Sequence, residues 1–298
     1  YGGTLKTISV TSSNLKNATD SGTPPLIKNL DNYESSFEFA SNSFKWAART
    51  PGAKGNSLAV FTTDAGPDQI LVIPAPGSGN DPEFVADEAI SATSGAAGKI
   101  FKYSIVLTVD SIVGTIVAGS SATISISGSA QTVDVLAVDA TNKKIEIGIP
   151  SGGITGIIAD GQTLTQNTSN TAAISTSGIE RRVYVALNKD SIDFDAADSI
   201  SDTNSTAFSI TSVRDEYSER EYLPGVKWIN VAPRPGTSLY GTQQGGHRDE
   251  LHVLIIDVDG KISGTPGALL ERFVGLSKAS DAKTSVGETN FYTNVIKA

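Results

Sequence analysis

The chain has 298 residues, 39% hydrophobic and 18% charged, which is too long for one small module and too apolar for a disordered polymer, so two or three compact domains are expected. Its 23 Lys and Arg against 32 Asp and Glu give a formal net charge of -9, which works against a phosphate backbone or an anionic membrane surface as partner. Cysteine is absent, which excludes a disulfide framework and a thiolate metal site.

Methionine is absent too, so Tyr1 is not expected to be the natural start and the chain reads as a fragment. No apolar run reaches the ~20 residues of a membrane helix. The opening YGGTLKTISV has neither the charged head nor the apolar centre of a signal peptide, and a soluble protein is expected. Within it, TLKTISV alternates in a β-friendly composition after a Gly-Gly turn and predicts a strand. FKWAARTPGAKGNSLAVFTTD then reads as strand, glycine loop, strand. Between about 75 and 98 the composition shifts to Gly, Ser, Ala, Pro and acidic residues, as a boundary or linker does.

From there to 185 the pattern is nearly all β. Short alternating runs at turn-separated intervals predict a small sandwich or barrel. TVDVLAVDATNKKIEIGI is the clearest hairpin, with Asp139 to Lys143 supplying the turn. The Asn- and Ser-rich tract 166–177 reads as a surface loop. No repeat of 20 to 50 residues is evident, so a solenoid is not supported.

After 186 the pattern is mixed. DELHVLIIDVDGKISG sets Leu251, Val253 and Ile255 on one strand face and Leu254, Ile256 and Val258 on the other. Both faces are apolar, which predicts a central strand covered on both sides. Asp259-Gly260 has the type I′ preference for turning it back, and Pro266-Gly267 makes a second corner. TPGALLERFVGLS fits a capped helix or another strand. NFYTNVIKA predicts a short terminal helix.

Five stretches invite a chemical reading. GGHRDELH holds the only two histidines, His247 and His252, with Asp249 and Glu250. A zincin helix needs its histidines four apart, and these are five apart with His252 inside a β pattern, so a loop-to-strand junction is the better reading. DVDG at 257–260 lacks the sixth-position glycine of a calcium loop and reads as a turn. Asp193 with Asp195, and Asp64 with Asp68, are pairs that an acidic surface produces as solvated loops. PGAKGNS at 51–57 has its lysine before its glycine, unlike a phosphate loop. No catalytic residue, cofactor site or metal site is expected.

Taken in order, YGGTLKTISV, WAARTPGAKGNSLAV, WINVAPRPGTSLY, DELHVLIIDVDGKISGTPGALLERFVGLSKASDAK and NFYTNVIKA resemble the tail sheath proteins of contractile-tailed bacteriophages, closest to those of T-even-like and cyanobacterial phages. The resemblance tips ALLERFVGLS toward strand. It implies a mixed α/β, β-rich chain: a sheath central fold in residues 1–95 and 186–298, and an inserted all-β outer domain, sandwich or small barrel, in 96–185. It also implies a structural role in a virion tail assembled in the host cytoplasm. The partners would be other copies of the chain, the tail tube protein, and baseplate and tail terminator proteins, with no nucleic acid and no membrane insertion. Both further terminal regions of the family would be missing here. The alternative reading is a surface-binding, adhesin-like β module, since polar loops suit glycan contact. Its weakness is that Trp46 and Trp228 both lie outside 96–185.

Overall fold

The structure, a computed structural model, describes residues 53–297. The strand expected at TLKTISV, the FKWAA segment, Trp46 and the ARTPG turn lie outside the described residues. The chain divides into two compact units: one takes Gly66–Arg220, the other Glu221 onward together with the stretch up to Ala65. Both are β-rich, and no helix among the described residues is long and apolar enough to cross a membrane.

In the unit that includes Glu221 onward, taken first, the described residues begin with a 3-10 turn, Ala53–Ser57, and β1 (Leu58–Asp64). The chain returns to this unit with β13 (Glu221–Leu223), β14 (Val226–Lys227), the helical turn α2 (Leu239–Gln243), β15 (Glu250–Asp257), β16 (Ala268–Ser277) and α3 (Tyr292–Lys297). β15 is the middle strand of an antiparallel sheet β1-β15-β16, paired from Leu58↔Asp257 to Asp64↔Leu251 on one side. One face of β15 is sealed, with His252, Leu254 and Ile256 buried. On the other, Val253 is buried but Leu251 and Ile255 are only half-covered. The strand is central among the described strands, and the expectation that both faces are buried is corrected to one buried face and one partly covered face.

ALLERFVGLS is a strand, and YTNVIK a short helix. β16 slips register twice against β15, and Gly275, at φ +69, stands beside one slip. Such bulges blunt an exposed edge against stray pairing. The two-residue hairpin expected at Asp259-Gly260 is not formed: residues 258–267 all lie between β15 and β16, and only Gly260 of that pair has positive φ, whereas type I′ needs both.

The second unit contains β2 (Gln69–Ile73), β3 (Ala89–Ser91), β4 (Ala97–Val113), β5 (Ser120–Ile126), β6 (Ser129–Asp139), β7 (Lys144–Gly148), β8 (Thr163–Gln166), β9 (Asn170–Leu187), the hairpin β10 (Ser199–Ser201) and β11 (Ala207–Ser209), β12 (Ser212–Asp215) and the helical turn α1 (Glu216–Glu219). Strands β4-β7-β6-β5-β8-β9 pair antiparallel in that order, and β9 pairs back onto β4, so six strands close a small barrel. Closure removes the sheet edges. Its interior is aliphatic: Ile105, Leu107, Ile124, Val133, Ile145, Ile147 and Leu164 are fully buried, each worth about 1.5–3 kcal/mol of burial.

The two longest strands, β4 and β9, pair through a register shift: Leu107↔Ile179 is followed by Val109↔Ile174, so β9 bulges between them. Gly178 lies in this bulge, where a Cβ would meet the Thr108 carbonyl oxygen at 2.6 Å. Past the bulge, β4 and β9 are strands of a four-stranded layer, β12-β2-β9-β4.

Two sequence expectations change here. The stretch 75–98 is not a linker: Phe84, Ile90 and Ala96 belong to the core, and β2 and β12 are strands of the same sheet as β9. The compact unit is accordingly wider than 96–185 on both sides. Nor is the tract 166–177 a loop: β8 and β9 pair from Thr163↔Ala173 to Gln166↔Asn170, with Ala172 and Ile174 buried. The Asp139–Lys143 turn is formed as expected, with the Asn142 backbone N–H and side-chain amide both donating to the Asp139 carboxylate.

Candidate functional site

Of the acidic residues that drew attention in the sequence, Asp249, Glu250, Asp257 and Asp259 sit at the two ends of β15, whereas Asp68, Asp193 and Asp195 lie in the other unit. At its C-terminal end the Asp257 carboxylate is wholly buried. The Ser57 hydroxyl donates to Oδ1, while the backbone N–H groups of Ile262 (2.9 Å) and Ser263 (2.7 Å) and the Ser263 hydroxyl (2.8 Å) donate to Oδ2. Ser57 Oγ in turn accepts from the Asp259 N–H at 3.0 Å. Burial alone would raise this carboxyl, yet the donors of Ser263, Ser57 and Ile262 hold it well below the usual carboxylate range. One side chain thus fixes the 258–267 connection and ties it to the turn before β1. Asp259 itself faces solvent and pairs with Lys261 at 3.2 Å. Gly260 and Gly267 carry φ of +72 and +78. A Cβ on Gly260 would meet the Pro266 nitrogen at 2.6 Å, so close approach and dihedral both demand glycine there, whereas Gly267 stands in open space and glycine serves its positive φ alone.

At the N-terminal end, Asp249 accepts from the Ser238 N–H (2.7 Å), the Ser238 hydroxyl (2.6 Å) and the Ser277 hydroxyl (2.5 Å). Ser238 also caps α2 by accepting from the Gly241 N–H. Burial opposes ionisation of Asp249, and the two serines outweigh it, leaving its carboxyl below the ordinary value. Glu250 accepts from the Gly236 N–H at 2.8 Å.

His252 is buried with both ring nitrogens engaged: Nε2 lies 2.8 Å from the Pro233 carbonyl, and Nδ1 accepts from the Gly275 N–H at 3.0 Å. That geometry fixes the Nε2–H tautomer. His247 contacts Arg248 instead, at 2.9 Å. The structure therefore does not bring the two histidines together, and no group of three or more His, Asp or Glu among the described residues is placed to hold a metal ion. Ser57 and Ser238 each donate to a carboxylate and not to an imidazole, so neither is arranged as the serine of a Ser-His-Asp triad.

In the second unit, a line of charged and hydroxyl groups runs from α1 across β12, β9 and β4 to β7. Glu219 meets Arg214 (3.2 Å), Arg214 meets Glu180 (2.7 Å), and Glu180 pairs with Arg182. Lys102 lies 4.2 Å from the centre of the Tyr184 ring and 2.7 Å from Glu146, which also accepts from Ser104 at 2.7 Å. Burial pulls Lys102 down but Glu146 more than restores it, so its ammonium titrates above the usual lysine value. Beside this line a groove of about 400 Å³ opens among Val72, Val106, Lys144, Ile179 and Arg182. Sequence reading missed the line because its members come from separate strands and meet only through register.

Comparison with protein-family models, with curated proteins and with solved structures finds no match to this chain.

Proposed function

We propose that the chain is a structural, non-enzymatic subunit of a contractile bacteriophage tail sheath, which surrounds the tail tube and contracts to drive it through the host envelope. The observation that carries this reading is how the resembling blocks are distributed. Within the described residues all of them fall in the unit of β1, β15 and β16, and none falls in Gly66–Arg220. They also hold one another: Ser57 of one block donates to Asp257 of another, and Arg272 Nη1 donates to the Val231 carbonyl at 2.8 Å. Blocks far apart in sequence that knit into one fold are what a shared scaffold requires. The acids and serines serve chain-fixing bonds, as suits a load-bound wall more than a reaction site. On this reading the partners are further copies of the chain, the tube protein, and baseplate and terminator proteins.

A surface-binding role for the second unit has separate support. Thr132, Thr123, Thr165 and Thr171 stand in one row across β6, β5, β8 and β9, an uncharged hydroxyl face on an acidic protein.

Gold-labelled antibodies against residues 221–297, applied to particles from the source, test the proposal. Label spaced along the whole tail is expected; label confined to fibres, capsid or a cell surface would refute it and favour the adhesin-like alternative.

A further inference from the structure

Residues 84–100 and 194–210 align without a gap at an offset of 110, and seven of the 17 positions are identical: Phe84/Phe194, Ala86/Ala196, Ile90/Ile200, Ser91/Ser201, Thr93/Thr203, Ala97/Ala207 and Ile100/Ile210. The backbone repeats with them. Ile90 pairs with Gly98 as Ile200 pairs with Phe208. Asp87 N–H donates to the Ile100 carbonyl and Ala197 N–H to that of Ile210, both at 2.8 Å. Ile100 N–H returns to the Glu88 carbonyl at 2.9 Å, and Ile210 N–H to that of Asp198 at 2.7 Å. The hairpin ends match too, Ala92 to Ala96 at 2.9 Å and Asp202 to Thr206 at 3.0 Å. Even the unusual dihedrals recur: φ is +69 at Asp87 and +80 at Ala197, +100 at Gly95 and +62 at Ser205. Alanine has no local reason to adopt positive φ, so the same loop geometry is being kept by a different residue.

The strands flanking these hairpins obey the same relation. Leu71 of β2 pairs with Val183 of β9. Tyr103 of β4 pairs with Val183, and Val213 of β12 pairs with Leu71. One step either way, Lys102↔Tyr184 matches Ser212↔Val72, and Ser104↔Arg182 matches Arg214↔Ile70. A local two-fold axis through the Leu71–Val183 pair therefore exchanges β2 with β9 and β4 with β12, and the layer β12-β2-β9-β4 reads the same from either end. Antiparallel pairing permits such an axis only through directly opposed residues, which is where this one lies.

The buried polar residues follow the axis as well. Gln69 reaches from the first strand to clamp the backbone of Phe194, donating to its carbonyl at 3.2 Å and accepting from its N–H at 3.0 Å. Its counterpart Arg181 reaches the other way, to Asp81 at 2.5 Å, just before Phe84. The copies differ where their surroundings differ. A Cβ on Gly98 would meet the Ala186 carbonyl oxygen at 2.6 Å, whereas at the equivalent position the Phe208 ring fills space 6.2 Å from that of Phe84.

We infer that residues 68–104 and 180–214 are two copies of one strand–hairpin–strand module whose binding partner is a second copy of itself, fused into an interlocked pseudo-dimer, with the barrel strands inserted in the connection between them. Each copy places its last strand beside the other copy's first strand, so neither completes the layer alone. This holds whether or not the chain is a sheath subunit.

Reciprocal grafts in the full chain test it. In one, residues 84–97 replace 194–207; in the other, 194–207 replace 84–97; a third carries the residues of 84–97 in shuffled order at 194–207. Amide hydrogen exchange at Leu71 and Val183 is read in each. At least one graft is expected to retain native protection at both amides while the shuffled chain loses it. Loss of protection in both grafts, or its retention in the shuffled chain, would overturn the inference.

Discussion

Leu71 and Val183 lie directly opposite one another in adjacent antiparallel strands, both fully buried, at the centre of the layer from which the barrel extends. Leu71→Ala is expected to cost about 2–5 kcal/mol. Because the two side chains share one packed site, the loss in the Leu71→Ala, Val183→Ala double variant should depart from the sum of the single losses by about 0.5–3 kcal/mol. Urea titrations of the three variants check this, and strict additivity would contradict the shared site.

Arg181 and Asp81 form an enclosed ion pair, with side chains 3% and 0% exposed. Arg181 also donates to the Ile158 carbonyl at 2.9 Å, and Ile158 N–H donates to Asp81 at 2.6 Å. Arg181→Met leaves a buried carboxylate without its cation and should cost about 3–5 kcal/mol. Adding Asp81→Leu should recover a substantial part of that loss. A thermal melt in which the double variant is no more stable than Arg181→Met would show that desolvation of the lone charge is not the cause.

The two faces of β15 should respond differently to charge. Leu254 is fully buried and Ile255 half-buried. Leu254→Asp is expected to cost several kcal/mol, on the order of what an unpaired buried charge demands, and Ile255→Asp markedly less. Denaturant midpoints of the two single variants decide the order.

Acid and alkali should act through different residues. Asp249 has a lowered carboxyl in the fold, so its contribution is complete above the unfolded value and fades as pH falls through the folded one. The stability gap between wild type and Asp249→Asn should be steady at neutral pH and close in acid. Lys102 is raised, so its contribution is complete below the ordinary lysine value and fades as pH climbs through the raised one. The gap to Lys102→Met should close only in strong alkali. Melting temperatures recorded across pH separate the two, and a gap that widens toward acid for Asp249→Asn would reverse the sign argued here.

The strands were legible wherever alternation and turn chemistry agreed, as in the hairpin around Asp139 and the run Leu251–Asp257. What misled was composition read locally. Residues 75–98 look like a linker because their hydrophobic anchors, Phe84, Ile90 and Ala96, are spaced among Gly, Ser and acids, and nothing nearby reveals the distant strands they pack on. The same spacing hid the duplication. Its copies stand 110 residues apart, beyond any short-period repeat, and the identity is plain only once the equal register of Ile90↔Gly98 and Ile200↔Phe208 is seen. The Asp-Gly signal at 259–260 marked a turn but not its size, because the buried carboxylate of Asp257 organises a longer loop than the dipeptide alone would form.

Helical reconstruction of the intact tail by electron cryo-microscopy tests the sheath reading most directly. The account predicts that the wall around the tube repeats one subunit whose density accommodates the β1-β15-β16 sheet with its terminal helix, and the six-stranded barrel, once each. A wall whose subunit density has no place for that sheet would contradict it.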